Sequence, residues 1–186
     1  MPGVMNGDLQ FLQDGYVLCS CEGTAEEVIM GILLENKCLV FEKDDLLNEE
    51  VTRIRTASAI QTKFLNREFE RQVYILRILD SKREQFNLGK LYKKRFPVYE
   101  IYTRPEIEML MIWAEDKYHA FRNSGKKPSD YLQSLYPHQR IKSQEFIKRY
   151  FSSPDRLLQS ICLYHHDHGH QSEYGLYHLL KNEYQR

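Results

Sequence analysis

The chain has 186 residues, 42% of them hydrophobic and 28% charged, and its 26 Lys and Arg balance 26 Asp and Glu to a formal net charge of +0. That length suits one domain with a core of its own, or one domain plus an appendage. Balanced charge argues against a protein that coats nucleic acid non-specifically, since such affinity comes from neutralising phosphates.

No apolar run reaches the roughly 18 residues of a membrane-spanning helix, so no membrane partner is expected. The opening Met-Pro-Gly-Val-Met-Asn-Gly-Asp lacks the basic region and long apolar segment of a secretory signal, which points to a cytoplasmic location. The four cysteines (Cys19, Cys21, Cys38 and Cys162) read as reduced thiols packed as small hydrophobes.

Residues 1–14 read as a leader, with Leu9, Phe11 and Leu12 packing onto the domain. Tyr16 to Cys21 has the composition of a buried strand. Gly23 suits a tight turn with positive φ, and Thr24 with Glu27 has the spacing of a capping box. Val28, Ile29, Ile32 and Leu33 then form an apolar stripe at helical spacing. With Glu27 occupied in the cap, Glu22 and Glu26 are left to face the crevice where open α/β sheets bind ligands.

Cys38 to Phe41 reads as a short buried strand, followed by a solvated polar loop, Glu42 to Asp45. Leu46 to Glu70 reads as largely helical, with Ala57, Ile60 and Phe64 inward. Arg53 and Arg55 are either phosphate contacts or ordinary surface charges. Gln72 to Leu79 is apolar enough to be a strand covered on both faces, and it delivers Asp80 to the carboxyl edge. The loop behind it carries Lys82 and Arg83, and a helix is expected over Lys90 to Arg95.

Val98 to Tyr102 is expected as a fourth strand. Thr103 and Glu106 form a second capping box for a helix that stops before Asn123-Ser124-Gly125. The alternation predicts a parallel sheet. Beyond residue 126 only helices are expected: Pro128 to about Leu135, Gln139 to Phe151, Pro154 to about Leu163, and Tyr174 to Tyr184. This divides the chain into an α/β domain, 1–125, and a helical appendage, 126–186. The second part carries nine Lys and Arg against six Asp and Glu. Its tyrosines are read as core or interface residues rather than stacking platforms for bases.

Strand, Glu22-Gly23-x-x-Glu26, then amphipathic helix resembles the opening of a Toprim (topoisomerase–primase) domain, nearest to the OLD-family and phage-defence nucleases. The similarity covers roughly residues 15 to 125. It implies a small parallel sheet flanked by helices and a site for Mg²⁺ or Mn²⁺. In the family a glutamate after the first strand and an Asp-x-Asp pair after a later strand hold the metal. Glu22 takes the glutamate's place and Asp80 that of the first aspartate, but Lys82 stands where the second should be. Tyr99 to Leu110 is similar to the last strand and its Glu-bearing helix.

The resemblance implies Glu22, Asp80 and Lys82 as catalytic residues. Glu22, Glu26, Asp80 and Glu106 become metal ligands, and Arg83 and Arg104 phosphate contacts. The activity it implies is metal-dependent cleavage of DNA or RNA in bacterial or phage defence. The alternative is a degenerate domain acting as a binding subunit or adaptor, for instance to a separate ATPase, since Lys82 removes a ligand and adds opposing charge.

Tyr164 to His170 contains four of the chain's seven histidines. It reads as a His-rich loop between helices, and His166, His168 and His170 are candidate Zn²⁺ ligands.

Overall fold

Two extended runs and a third near Val98 pair side by side. A computed structural model describes residues 9–82, 84–103, 107–168 and 173–185. In it β1 (Tyr16–Cys21), β2 (Val73–Leu79) and β3 (Val98–Tyr102) form one parallel sheet in the order β1-β2-β3. Leu18 lies opposite Ile75, and Ile75 opposite Val98.

The period-2 alternation of side chains sends Val17, Cys19, Cys21, Leu76, Ile78 and Ile101 into one core and Leu18, Val73 and Ile75 into another. Both faces are covered, which is why β2 is apolar almost throughout. The fold is therefore mixed α/β with a parallel sheet. α1 (Thr24–Glu35) buries Val28, Ile29, Ile32 and Leu33 on the first face. The second face is covered by α2 (Ala57–Ile60), the wider turn Gln61–Leu65 that continues it, and Leu88 and Phe96. α3 (Lys90–Arg95) leads into β3.

Several sequence expectations are corrected. Cys38 to Phe41 is buried but is not a strand: its only ladder contact among the described residues is an antiparallel bridge from Leu39 to Leu180. Val40 N donates to Leu179 O and Lys181 N to Cys38 O, both at 2.9 Å. A short apolar run reports burial, and here the partner is the far end of the chain. The sheet thus has three strands among the described residues, not four.

Leu46 to Glu70 is helical only over 57–65. The stretch before it lies beside β1 through isolated parallel bridges at Leu46 and Thr52, on either side of a turn at 47–50, with Leu47 N to Val17 O at 3.0 Å and Cys21 N to Thr52 O at 2.8 Å. The helix expected after Thr103 is broken in two, α4 (Met109–Ala114) and α5 (Tyr118–Ser124). Asp116 takes a φ of 53° at the break, and Gly125, at φ 66°, ends α5 as its lack of a Cβ allows.

α6 (Pro128–Leu135) lies where it was expected. α7 (Gln144–Tyr150) starts five residues late, at the point where Ser143 Oγ accepts from Phe146 N. α8 (Pro154–His168) runs past Leu163, so the histidines up to His168 ride on a helix and not on a loop. Tyr174 to Tyr184 is two short 3₁₀ turns, Leu176–Leu179 and Asn182–Tyr184.

The later helices share the sheet's core: Ile147, Phe151, Leu157 and Ile161 pack in one cluster with Ile29, Leu33 and Ile112. Leu9 and Leu12, in the 3₁₀ turn Leu9–Asp14, are fully buried in it. All four cysteines are buried, and none forms a disulfide among the described residues. Tyr174 bridges to Ile101 along the outer edge of β3, with Tyr102 N donating to Tyr174 O at 2.8 Å.

A polar knot fixes the helical half. Glu115 Oε1 accepts from Tyr136 Oη (2.6 Å), Tyr150 Oη (2.7 Å) and Arg156 Nη2 (2.7 Å). Burial alone would raise the Glu115 carboxyl, but these donors hold it below its ordinary value, while burial and Glu115 push the Tyr136 phenol up to about 12.

Glu115→Ala removes the acceptor of the Tyr136 phenol and leaves Tyr150 Oη its longer bond to Met111 O, 3.2 Å, and Arg156 its bond to Tyr150 Oη, 2.9 Å. Arg156 is half open to solvent, so the tyrosines dominate, and the expected loss is about 2 kcal/mol. At roughly 2–4 °C per kcal/mol for this size, the thermal midpoint at pH 7 should fall by about 6 °C. Because the folded carboxyl is depressed, this contribution is present above pH 4.5 and shrinks as pH falls below it. A calorimetric midpoint unchanged by the substitution would refute the role.

Candidate active site

Parallel strands put all their carboxyl ends on one edge, so the residues just beyond β1 and β2 must be neighbours. Glu22 N donates to Ile78 O at 2.9 Å, and Glu22 Oε2 accepts the Asp80 backbone N–H at 2.9 Å. The first turn of α1 adds Glu26, only 6% exposed, and the residue before α4 adds Glu108, 4% exposed. Glu26, Asp80 and Glu108 line one cavity of about 330 Å³, together with Gly23, Thr24, Ala25, Ile107 and Lys142.

The helix here does not begin as the sequence predicts. Gly23 is the N-cap residue, with an ordinary φ of −138° and no side-chain cap. Thr24 and Glu27 bind Arg53 instead: Nη1 donates to Thr24 Oγ1 at 2.8 Å, and Nε lies 3.6 Å from Glu27 Oε2. A Cβ at Gly23 would stand 2.8 Å from Glu26 Oε2, the movable end of that side chain, so a residue other than glycine there would displace the Glu26 carboxylate rather than the backbone.

Electrostatics mark the two glutamates. Burial pushes the Glu26 carboxyl above its ordinary value against its own backbone N–H, and the charges of Asp80, Glu108 and Glu22 push it further. Burial likewise raises Glu22; the Asp80 N–H opposes this, and the charges of Asp80 and Glu84 reinforce it.

Cations stand around the carboxylates. Lys142 Nζ is 3.1 Å from Glu108 Oε1. Arg55 Nη1 is 3.8 Å from Glu22 Oε1, and Arg55 Nε is 3.1 Å from Glu84 Oε1. Glu84 in turn holds Arg77, a β2 residue 1% exposed whose Nη2 lies 2.9 Å from Glu84 Oε2 and Nη1 2.8 Å from Glu100 Oε1. Its guanidinium sits 4.4 Å over the Phe86 ring.

Of the sequence candidates, the structure brings Glu22, Glu26 and Asp80 together. Lys82 is not on the cavity wall: it pairs with Glu173 and lies 5.5 Å from the Tyr102 ring centre. Arg83, Arg104 and Glu106 fall outside the described residues. His166 is exposed on α8, while the side chain of His168, and His170 altogether, also fall outside them. His165, next to them, stacks on Tyr177 at 3.8 Å.

Sequence reasoning missed Glu108 and Lys142. The available signal was Ile107-Glu108-Met109-Leu110, a carboxylate set inside an apolar run and hence carried into the interior.

The oxygen donors here are of the kind that hard cations such as Mg²⁺ or Mn²⁺ select. Among the described residues, however, no three His, Cys, Asp or Glu side chains form a group that could hold a metal ion. No helix of the described residues is long and apolar enough to cross a membrane. No family model matches the chain, and neither a curated protein nor a solved structure matches it.

Proposed function

We propose that the chain is a hydrolase of phosphodiester bonds in DNA or RNA, working with Mg²⁺ or Mn²⁺ at the carboxyl edge of the sheet. The observation that carries this reading is the convergence of Glu26, Asp80 and Glu108 on one cavity, with Glu22 fixed behind them by the Asp80 amide. These carboxylates would draw the cation into the cavity by charge and through its water shell, since no three of them close on one point, and Glu22 would orient the Asp80 backbone. A bound divalent cation supplies charge neutralisation at the phosphate and a more acidic water. Glu26 and Glu22 give up their protons less readily than ordinary carboxyls, so cation affinity should rise with pH. The Toprim assignment and the defence setting rest on the sequence resemblance alone.

The test is cleavage of single- and double-stranded DNA and of RNA in Mg²⁺, Mn²⁺ or EDTA. Cleavage should need the cation and fall by roughly 100-fold or more in Asp80→Ala.

A second reading is a non-catalytic binding subunit or adaptor. Two observations favour it: Lys82 stands in place of a carboxylate and is engaged by Glu173, and the described residues hold no three-membered metal group. Folded protein that cuts nothing under any of these conditions would select that reading.

A further inference from the structure

Beside the carboxylate cavity lies a shallower cleft of about 500 Å³, bounded by Ser129, Asp130 and Gln133 of α6 and by residues 140–143. Lys142 lines both, so the two depressions share a wall. Their charges are opposite. Residues 126–150 contain six Lys and Arg against two Asp and Glu, and Asp130 is the one carboxylate lining the second cleft.

The loop that presents this charge is built and held. Ile141 is 4% exposed and anchors it, which leaves Arg140, on one side, facing out and Lys142, on the other, largely so. Gln133 Nε2 donates to Tyr136 O at 2.8 Å and to Gln139 O at 3.1 Å. Arg149 Nη2 donates to Gln139 Oε1 at 2.7 Å. Lys142 is paired with Glu108, while the Arg140 side chain makes no ion pair or hydrogen bond among the described residues. The loop backbone is held while the Arg140 guanidinium is exposed and unpaired among the described residues, which leaves it open to an anion from outside the chain.

We propose that this basic cleft guides the sugar-phosphate backbone of a single nucleic-acid strand into the carboxylate cavity, with Arg140 and Lys142 contacting its phosphates. A single strand is favoured over a duplex because Glu26 and Glu108 are nearly buried, below the level that a stiff double helix can reach. The inference rests on the phosphodiester reading for its substrate class, but it is tested by binding alone.

The experiment is fluorescence anisotropy of labelled DNA and RNA oligomers of about 12 nucleotides with the full chain in EDTA, across a salt series. Each phosphate contact on a single strand contributes about 0.7 to the slope of log K against log salt, which is about fivefold in affinity near 0.1 M salt. Arg140→Ala should therefore weaken binding about fivefold and flatten the slope by about 0.7. Arg140→Lys should restore most of both, because it restores the charge.

The control is Lys94→Ala on the exposed basic helix α3, which removes the same formal charge from a different site and should change little. Equal losses in Arg140→Ala and Lys94→Ala would show diffuse attraction and overturn the proposal. So would wild type that binds neither oligomer tighter than about 10⁻⁴ M. Binding that shows the expected pattern without any cleavage would uphold this path while removing the hydrolase reading. A difference between the DNA and RNA arms identifies the preferred strand.

Discussion

Arg77→Ala is expected to cost about 4 kcal/mol of unfolding free energy, with the thermal midpoint down by roughly 12 °C. The guanidinium lies in the middle of β2, opposite Ser20 of β1 and Glu100 of β3. It is 1% exposed and held by Glu84 and Glu100, and Nε has no hydrogen-bond partner among the described residues. Desolvating such a charge is expensive, and the carboxylates offset that cost only while the set is intact.

Removing the arginine alone leaves Glu84 three-quarters buried without its main cation and opens a hole beside Phe86. Glu100 is better exposed, and its loss is screened. The triple change Arg77→Met, Glu84→Gln and Glu100→Gln removes the charges together and should recover most of the loss. Urea unfolding of the two variants is the measurement. A single substitution costing under about 1 kcal/mol would show that the buried set is not a unit.

Arg55 links Glu84 to Glu22, so the damage should also reach the site. Glu22 would lose part of its counter-charge, and the cation affinity of the folded Arg77 variant should change with it.

The second large effect is at Glu26. Its folded carboxyl sits above the ordinary value of 4.5, so the native state holds this proton more tightly than the unfolded chain. The sign comes from linkage: the stabilising contribution is full below pH 4.5 and is lost as pH rises through the folded value. At pH 7 the ionised carboxylate is therefore a burden, in the company of Asp80, Glu108 and Glu22. Glu26→Gln should stabilise the protein at pH 7 by about 1 kcal/mol without added metal. It should also flatten the decline of stability between pH 4.5 and 7.

Saturating Mn²⁺ should reverse the ranking. A cation at 100 times its dissociation constant stabilises the native state by about 2.7 kcal/mol, a rise of roughly 8 °C for wild type. It should give almost none for Glu26→Gln. Midpoints over pH, with and without Mn²⁺, test both statements. A wild type indifferent to Mn²⁺ would remove the metal reading and leave the pH prediction standing.

The strand ends were legible in the sequence because apolar composition is a local signal. Tyr16–Cys21 and Val73–Leu79 announce themselves, and two parallel strands leave the residues just after them, Glu22 and Asp80, no choice but to meet. What was not legible depended on distant partners. Cys38 to Phe41 has a strand's composition, but its cross-strand partners, Leu179 and Lys181, lie some 140 residues away. Thr24 and Glu27 have the spacing of a cap, yet Arg53 offers them a charged donor that local reasoning does not include. Arg77 was hidden by its apolar neighbours, because nothing in the run itself shows that two glutamates on other segments will neutralise it. Glu108 was missed by two positions: the capping pattern drew attention to Glu106, whereas the structure places Glu108 on the cavity wall.

The bridges made by Tyr174 and Leu180 bear on how the protein is born. Until residues 174 to 181 have left the ribosome, the outer edge of β3 lacks its Tyr174 partner, and the 38–41 segment lacks its cross-strand bonds to Leu179 and Lys181. Such an edge is a template for pairing with another nascent chain. Contacts this remote in sequence also form slowly. These two segments should therefore complete their pairing only after residue 181 is made, and yield in cells should respond to chaperone supply more than the final stability would suggest.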